Sequence, residues 1–237
     1  MNLSNKNVLN RVKDIFSLID KANSIDDLEK IQNEFSPKEI KDNFPSGKYP
    51  KLKFSLSNED IEQLKTDGIL NQDGTISKLC ADADKLKKNL TPLEKLLYSV
   101  LWKNGDLGKE KHITDGILEN RDSKYIKGET GLVFYYFGQH LKDKKKPIID
   151  QHVIRAFKLY QALNDGVEDI DKILKMDTLN SKDKDTCLSY IKWQNEHKLK
   201  ASNPIEFTYH LDRLLFGLGK SLKKTVSSKA TFEAIPP

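Results

Sequence analysis

Asp150, His152 and Arg155 fall within one helical turn and a half of each other in the run Pro147-Ile148-Ile149-Asp150-Gln151-His152-Val153-Ile154-Arg155-Ala156-Phe157. A carboxylate, an imidazole and a guanidinium so spaced can work on a phosphate-bearing substrate. The nitrogen groups hold phosphate, while the carboxylate takes a proton from water or stabilises developing positive charge. The pattern predicts a helix with Asp150 as its N-cap, Ile149 at N′ stapled to Ile154 at N4, and Pro147 stiffening the approach. At that place the helix dipole favours the ionised carboxylate. His152 and Arg155, three apart, can share one side of the first turns. The same residues would also suit an ordinary capped helix with an exposed His and Arg.

Other chemistries lack their residues. There is no GxGxxG after a strand, no Walker A loop, no HExxH and no GxSxG elbow. His112, His140, His152, His197 and His210 include no pair at i, i+4, so no metal site is expected and no cofactor is called for. Cys80 and Cys187 are too few for a Cys₄ zinc site or an iron–sulfur ligand set, and they suit a reducing compartment. Asn2, Ser4 and Asn5 lead into charged residues with no apolar h-region, and no run approaches the roughly 20 apolar residues of a membrane span. A cytoplasmic protein with no membrane partner is the expectation.

The elements that must position this segment read as mostly helical. Val8, Val12, Ile15, Phe16 and Ile19 recur at helical spacing, and Ile25, Leu28 and Ile31 follow. After a connector over 42–53, Leu52, Phe54 and Leu56 alternate as a strand would. Ser57 and Asp60 can cap a short helix, and Asp73-Gly74 between apolar pairs signals a β-hairpin. Residues 1–84 are therefore expected to form N-terminal helices plus a small α/β satellite. A helical domain over 85–220 opens at Thr91-Pro92-Leu93-Glu94, a capping box with proline at N1, and its stripe Leu93, Leu96, Leu97, Val100 and Leu101 reads as a core helix. Leu132 to Phe137, apolar on every side between Gly131 and Gly138, reads as a buried central helix. Asn203-Pro204-Ile205-Glu206 starts a last helix with Leu211, Leu214, Leu215 and Leu218, its end loosened by Gly217 and Gly219. Residues 221–237 read as a basic flexible tail.

The chain of 237 residues has a formal charge of +5, and the excess sits in the middle. Residues 85–160 hold 16 basic and 9 acidic side chains, which suits either a phosphate-facing surface or a solvated lysine face.

Ile149-Asp150-Gln151-His152-Val153-Ile154-Arg155 resembles the V-D-x-H-V-x-R pattern of the helix-hairpin-helix DNA glycosylases, of the 8-oxoguanine glycosylase and endonuclease III kind. Gly131 to Gly138 resembles that family's second hairpin helix, and Lys142 to Lys146 its polar linker before the proline. The stripe ending in Trp102-Lys103-Asn104-Gly105-Asp106 is similar to its early helix and short polar motif. The likeness spans roughly residues 90–220. Where the family's hairpin reads L-P-G-V-G-x-K-T-A, this chain has Tyr125-Ile126-Lys127-Gly128-Glu129-Thr130-Gly131. Glu129 then stands where bifunctional members carry a Schiff-base lysine.

The resemblance implies a mainly α, helix-hairpin-helix glycosylase-like fold and a monofunctional hydrolase that rotates a base out of double-stranded DNA and cleaves its N-glycosidic bond. It assigns catalysis to Asp150. DNA contacts fall to Gln151, His152, Arg155, Lys127, Gly128, Asn104, Lys145 and Lys146, and the walls of a base pocket to Trp102, Glu129, Tyr136 and Phe216. No obligate protein partner is implied. A non-catalytic DNA-binding module and a helical protein-interaction domain are the alternatives, and the excised base, in repair or in defence against modified DNA, stays open.

Overall fold

The computed structural model describes residues 5–34, 51–76, 91–104, 108–119, 131–166 and 169–223. They form ten α-helices: α1 (Asn5–Ile19), α2 (Ile25–Glu34), α3 (Asn58–Thr66), α4 (Pro92–Asn104), α5 (Glu110–Ile117), α6 (Gly131–Lys142), α7 (Gln151–Asp165), α8 (Ile170–Leu174), α9 (Lys184–Lys198) and α10 (Pro204–Ser221). A 3₁₀ turn, Ser181–Asp183, leads into α9. No strand occurs among the described residues, and no described helix is long and apolar enough to cross a membrane.

The main core forms around α7. Its Val153, Ile154, Ala156, Phe157 and Leu159 are buried with Val8, Val12, Ile15 and Phe16 of α1 and with Leu211, Leu214, Leu215 and Leu218 of α10. These are the periodic positions read from the sequence, because a 3.6-residue repeat brings them to one face. Phe16 stacks on Tyr160 at 4.2 Å between ring centroids, and Trp193 closes the aromatic group from α9. His197 then ties α9 to the end of α1, with Nδ1 on the Trp193 carbonyl at 2.7 Å and Nε2 on Asp20 at 3.0 Å.

A smaller cluster joins Ile61 of α3, Leu70 and Ile117 of α5. The expected β-hairpin does not develop among the described residues. Asp73-Gly74 does turn, with Gly74 at φ +81° and Asp73 accepting from Thr75, and among the described residues one bridge forms, between Leu70 and Ile76. The N–H groups of Ile69 and Leu70 both go to the Leu64 carbonyl, closing the end of α3, and of the first arm Asn71 alone donates across the turn, to the Thr75 carbonyl at 2.8 Å. Residues 52–56 likewise form no strand, and the Leu56 N–H is bonded to the Leu141 carbonyl. The N-terminal α/β satellite is thus a helix and a turn packed on α5.

Helix α4 departs from expectation in its packing. Its Thr91–Glu94 capping box forms, but Leu93, Leu96, Leu97, Val100 and Leu101 are 39% to 63% exposed. A helical stripe reports amphipathicity, not what covers it. Helices α5 and α6 show the opposite, crossing so closely that a Cβ on Gly116 would meet the Tyr135 carbonyl oxygen at 2.0 Å and one on Gly138 the Ile113 oxygen at 2.1 Å.

Candidate active site around Asp150

The loop from Asp143 to Asp150 joins α6 to α7, and side chains from other elements anchor it. Asp143 caps the turn, accepting from the Lys145 N–H at 2.9 Å. His140 Nδ1 donates to the Lys146 carbonyl at 2.7 Å, and Lys198 Nζ to the Lys145 carbonyl at 2.7 Å. Lys146 Nζ pairs with Glu119 Oε1 at 2.9 Å, and the Ile148 N–H donates to Asp212 Oδ2 at 2.7 Å. Ile149 is then fully buried beside Ile154 in the main core, as a hydrophobic staple requires.

Asp150 follows as the N-cap of α7, with extended backbone at φ −139° and ψ 176°. Its Oδ1 accepts from the N–H groups of His152 at 2.7 Å and Val153 at 2.8 Å. The residue as a whole keeps partial exposure, while its carboxyl group is largely enclosed. The helix end favours the ionised carboxylate through these two amides, as expected. Burial raises its pKa to about 6, outweighing the lowering by the two amides and by Arg155.

Arg155 is 0% exposed, and its guanidinium is a clamp. Nη1 donates to the Gly219 carbonyl at 2.7 Å and to His152 Nδ1 at 2.7 Å, and Nη2 donates to the Met176 carbonyl. The expected backbone-phosphate contact is corrected accordingly, because those nitrogens face carbonyls of α10 and of the chain after α8. Burial lowers its pKa to about 10, which still leaves it charged at neutral pH. An always-donating guanidinium makes His152 Nδ1 an acceptor, so the ring proton sits on Nε2. Burial, then Arg155, hold the His152 pKa down to about 4, and the imidazole is neutral near pH 7. Phe216, expected in a base pocket, packs edge-on against this ring at 5.0 Å, and Lys220 Nζ lies over the Phe216 ring at 5.8 Å from its centroid. Gly219 permits the junction. A Cβ there would lie 1.9 Å from the His152 carbonyl oxygen.

The remaining expected site residues divide. Gln151 is half-buried in the first turn of α7, Lys145 is exposed, and Asn104 is exposed at the last position of α4. Lys146 is drawn to Glu119, which Lys142 also approaches at 3.6 Å. Tyr136 is buried, its phenol pushed upward by burial, and it lines a cavity of about 620 Å³ between α6 and α9. Tyr135, Gln139, Asn195 and Pro147 share that lining, which places the cavity beside the loop that leads to Asp150, although Asp150 does not line it. Lys127, Gly128 and Glu129 lie outside the described residues, as do the hairpin they belong to and the side chain of Trp102. The tail beyond residue 223 lies outside them too.

Two residues that the sequence reading passed over belong to this site. Asp212 of α10 is 0% exposed and accepts from Tyr190 Oη at 2.6 Å as well as from Ile148. Burial raises its pKa to about 7, with Asp150 adding to the rise. The available signal was an acid on an apolar helical face, between Leu211 and Leu215. Among the described residues no group of three or more His, Cys, Asp or Glu could hold a metal ion. Searches against family models, curated proteins and solved structures returned no match for this chain.

Proposed function

We propose that the protein is a monofunctional DNA glycosylase in which Asp150 is the catalytic carboxylate. The observation that carries this reading is Asp150 itself. It is an N-cap carboxylate with one oxygen fixed by two amides, on a loop anchored at both ends, within a segment that matches the family pattern at Asp150, His152, Val153 and Arg155 and carries Ile149 for its first valine.

The chemistry follows from that arrangement. The extruded nucleotide places its anomeric carbon over the free edge of Asp150. The carboxylate stabilises the oxocarbenium-like sugar and orients the water that completes hydrolysis, and the base departs with the glycosidic electron pair. Phosphate binding falls to the His152 Nε2–H, to Gln151 and to exposed lysines such as Lys145, with Arg155 acting behind them as the strut that aims His152. Because Asp150 must be ionised and its pKa is about 6, base release should rise with pH through about 6.

Asp150→Asn tests the reading. Free-base release from a panel of damaged and naturally modified duplexes should fall on the order of 100-fold or more, while affinity for the same duplexes persists. Equal base release by the variant removes Asp150 from catalysis. Borohydride should trap no covalent adduct, since Glu129 offers no amine. The exposed apolar face of α4 favours a second reading, a helical protein-interaction domain, and duplex affinity undetectable even at low salt would establish that one instead.

A further inference from the structure

We propose that α4 of one copy docks in the cleft between α6 and α9 of a second copy, and that the reverse contact closes a two-fold dimer. This stands independently of the glycosylase reading, because it rests on two apolar surfaces that the single chain leaves uncovered.

The first surface is α4 itself. Its Thr91–Glu94 box starts a helix of 13 residues whose Leu93, Leu96, Leu97, Val100 and Leu101 form one exposed stripe. No other described helix packs along it. An isolated helix shorter than about 12–15 residues is marginal in water, and the cost of an apolar stripe is removed only by a surface that covers it. The second surface is the cleft. Tyr135, Tyr136 and Gln139 of α6 stand on one wall, and Leu188, Ile191 and Asn195 of α9 on the other. Leu188 is 49% exposed there, whereas Cys187 and Tyr190 of the same helix are buried in the main core. Helix α9 thus has two apolar faces, and the core of its own chain covers one.

The two surfaces match in length, shape and charge. The cleft runs from Lys184 at the start of α9 to Lys198 at its end, about 21 Å of helix, and α4 is about 20 Å long. Lys198 donates to the Lys145 carbonyl just beyond α6, so both walls end at the same place. A volume of about 620 Å³ takes a row of side chains rather than a whole helix, so α4 lies along the mouth with its apolar stripe inward. Laid antiparallel to α9, it brings Glu94 of its first turn to the end where Lys146 and Lys198 stand. Two such contacts remove on the order of 1,500 Å² from water, the size of a standard stable interface. The two-fold arrangement leaves neither surface open. Lys146 and Pro147 line the cleft as well, so the docked helix lies against the loop that carries Asp150.

Sedimentation equilibrium on Leu97→Glu and Leu188→Glu tests the docking. Both side chains are about half exposed in the single chain, so each variant keeps its core and its thermal melt. At roughly 50 µM, above the micromolar limit for an interface of this size, the unaltered protein should sediment as a dimer and each variant alone as a monomer. Mixing the two variants should recover a heterodimer, because α4 of the Leu188→Glu chain and the cleft of the Leu97→Glu chain are both intact. With one contact in place of two, it should bind more weakly than the unaltered dimer by about 10-fold or more. A dimer lost in Leu97→Glu but kept in Leu188→Glu would mean that α4 pairs with α4, and overturns the proposal. An unaltered protein that stays monomeric overturns it too, whether hydrogen exchange then finds α4 covered by its own chain or open to a different protein.

Discussion

At the scale of single residues, Arg155 shows how a side chain's type can be legible while its role is not. The sequence places it three residues after His152, and a guanidinium there suits phosphate. In the fold it binds the carbonyls of Gly219 and Met176 and orients His152, with 0% exposure. Arg155→Ala would strand those carbonyls and open a void, so it should destabilise the protein by about 2–4 kcal/mol in urea melts. An unchanged melt would show that the clamp contributes nothing. Asp150 was more legible, because an N-cap is a local structure that depends on the next three residues and hardly on the rest. Its ionisation was not, since burial is a property of everything packed around it.

At the scale of elements, capping boxes and helical periods translated directly. Ser57 with Asp60, Thr91 with Glu94, and Asn203 before Pro204 all cap as their sequences suggest. Failures came where an element needs a partner. The Asp73-Gly74 turn carries only one bridge among the described residues, the Ile69 and Leu70 donors having gone to the Leu64 carbonyl. Gly219, expected to loosen the end of α10, instead lets that helix continue to Ser221 against the first turn of α7. Gly219→Ala should accordingly cost about 2 kcal/mol or more, with weakened protection from hydrogen exchange at both the end of α10 and the start of α7. Full stability in that variant would mean the two helices can part without loss.

At the scale of the molecule, the basic excess over 85–160 exceeds the positive surface it suggests. Lys142 and Lys146 approach Glu119, Lys158 is paired with Asp183 at 2.7 Å, and Arg155 is enclosed. Charge counted along a chain ignores which groups fold onto one another. The salt dependence of duplex binding distinguishes them. Lys145→Ala should lower the magnitude of the log affinity against log salt slope by about 0.9, and Arg155→Ala should leave the slope unchanged in whatever fraction remains folded. A slope change from Arg155→Ala would place its guanidinium on the DNA after all.

What the amino-acid order determined by itself is local: the helical period of α1, α2, α7 and α10, the caps that begin α3, α4 and α10, and Asp150 at the start of α7. Each depends on hydrogen bonds and side-chain directions within a few residues. Tertiary structure alone decided that Arg155 is a strut, that α4 shows its apolar face to solvent, and that Asp212, 62 positions after Asp150 in the chain, holds the Ile148 amide of the loop before it. Burial and long-range electrostatics arise from the assembled whole, so no window of sequence around Asp150 contains them.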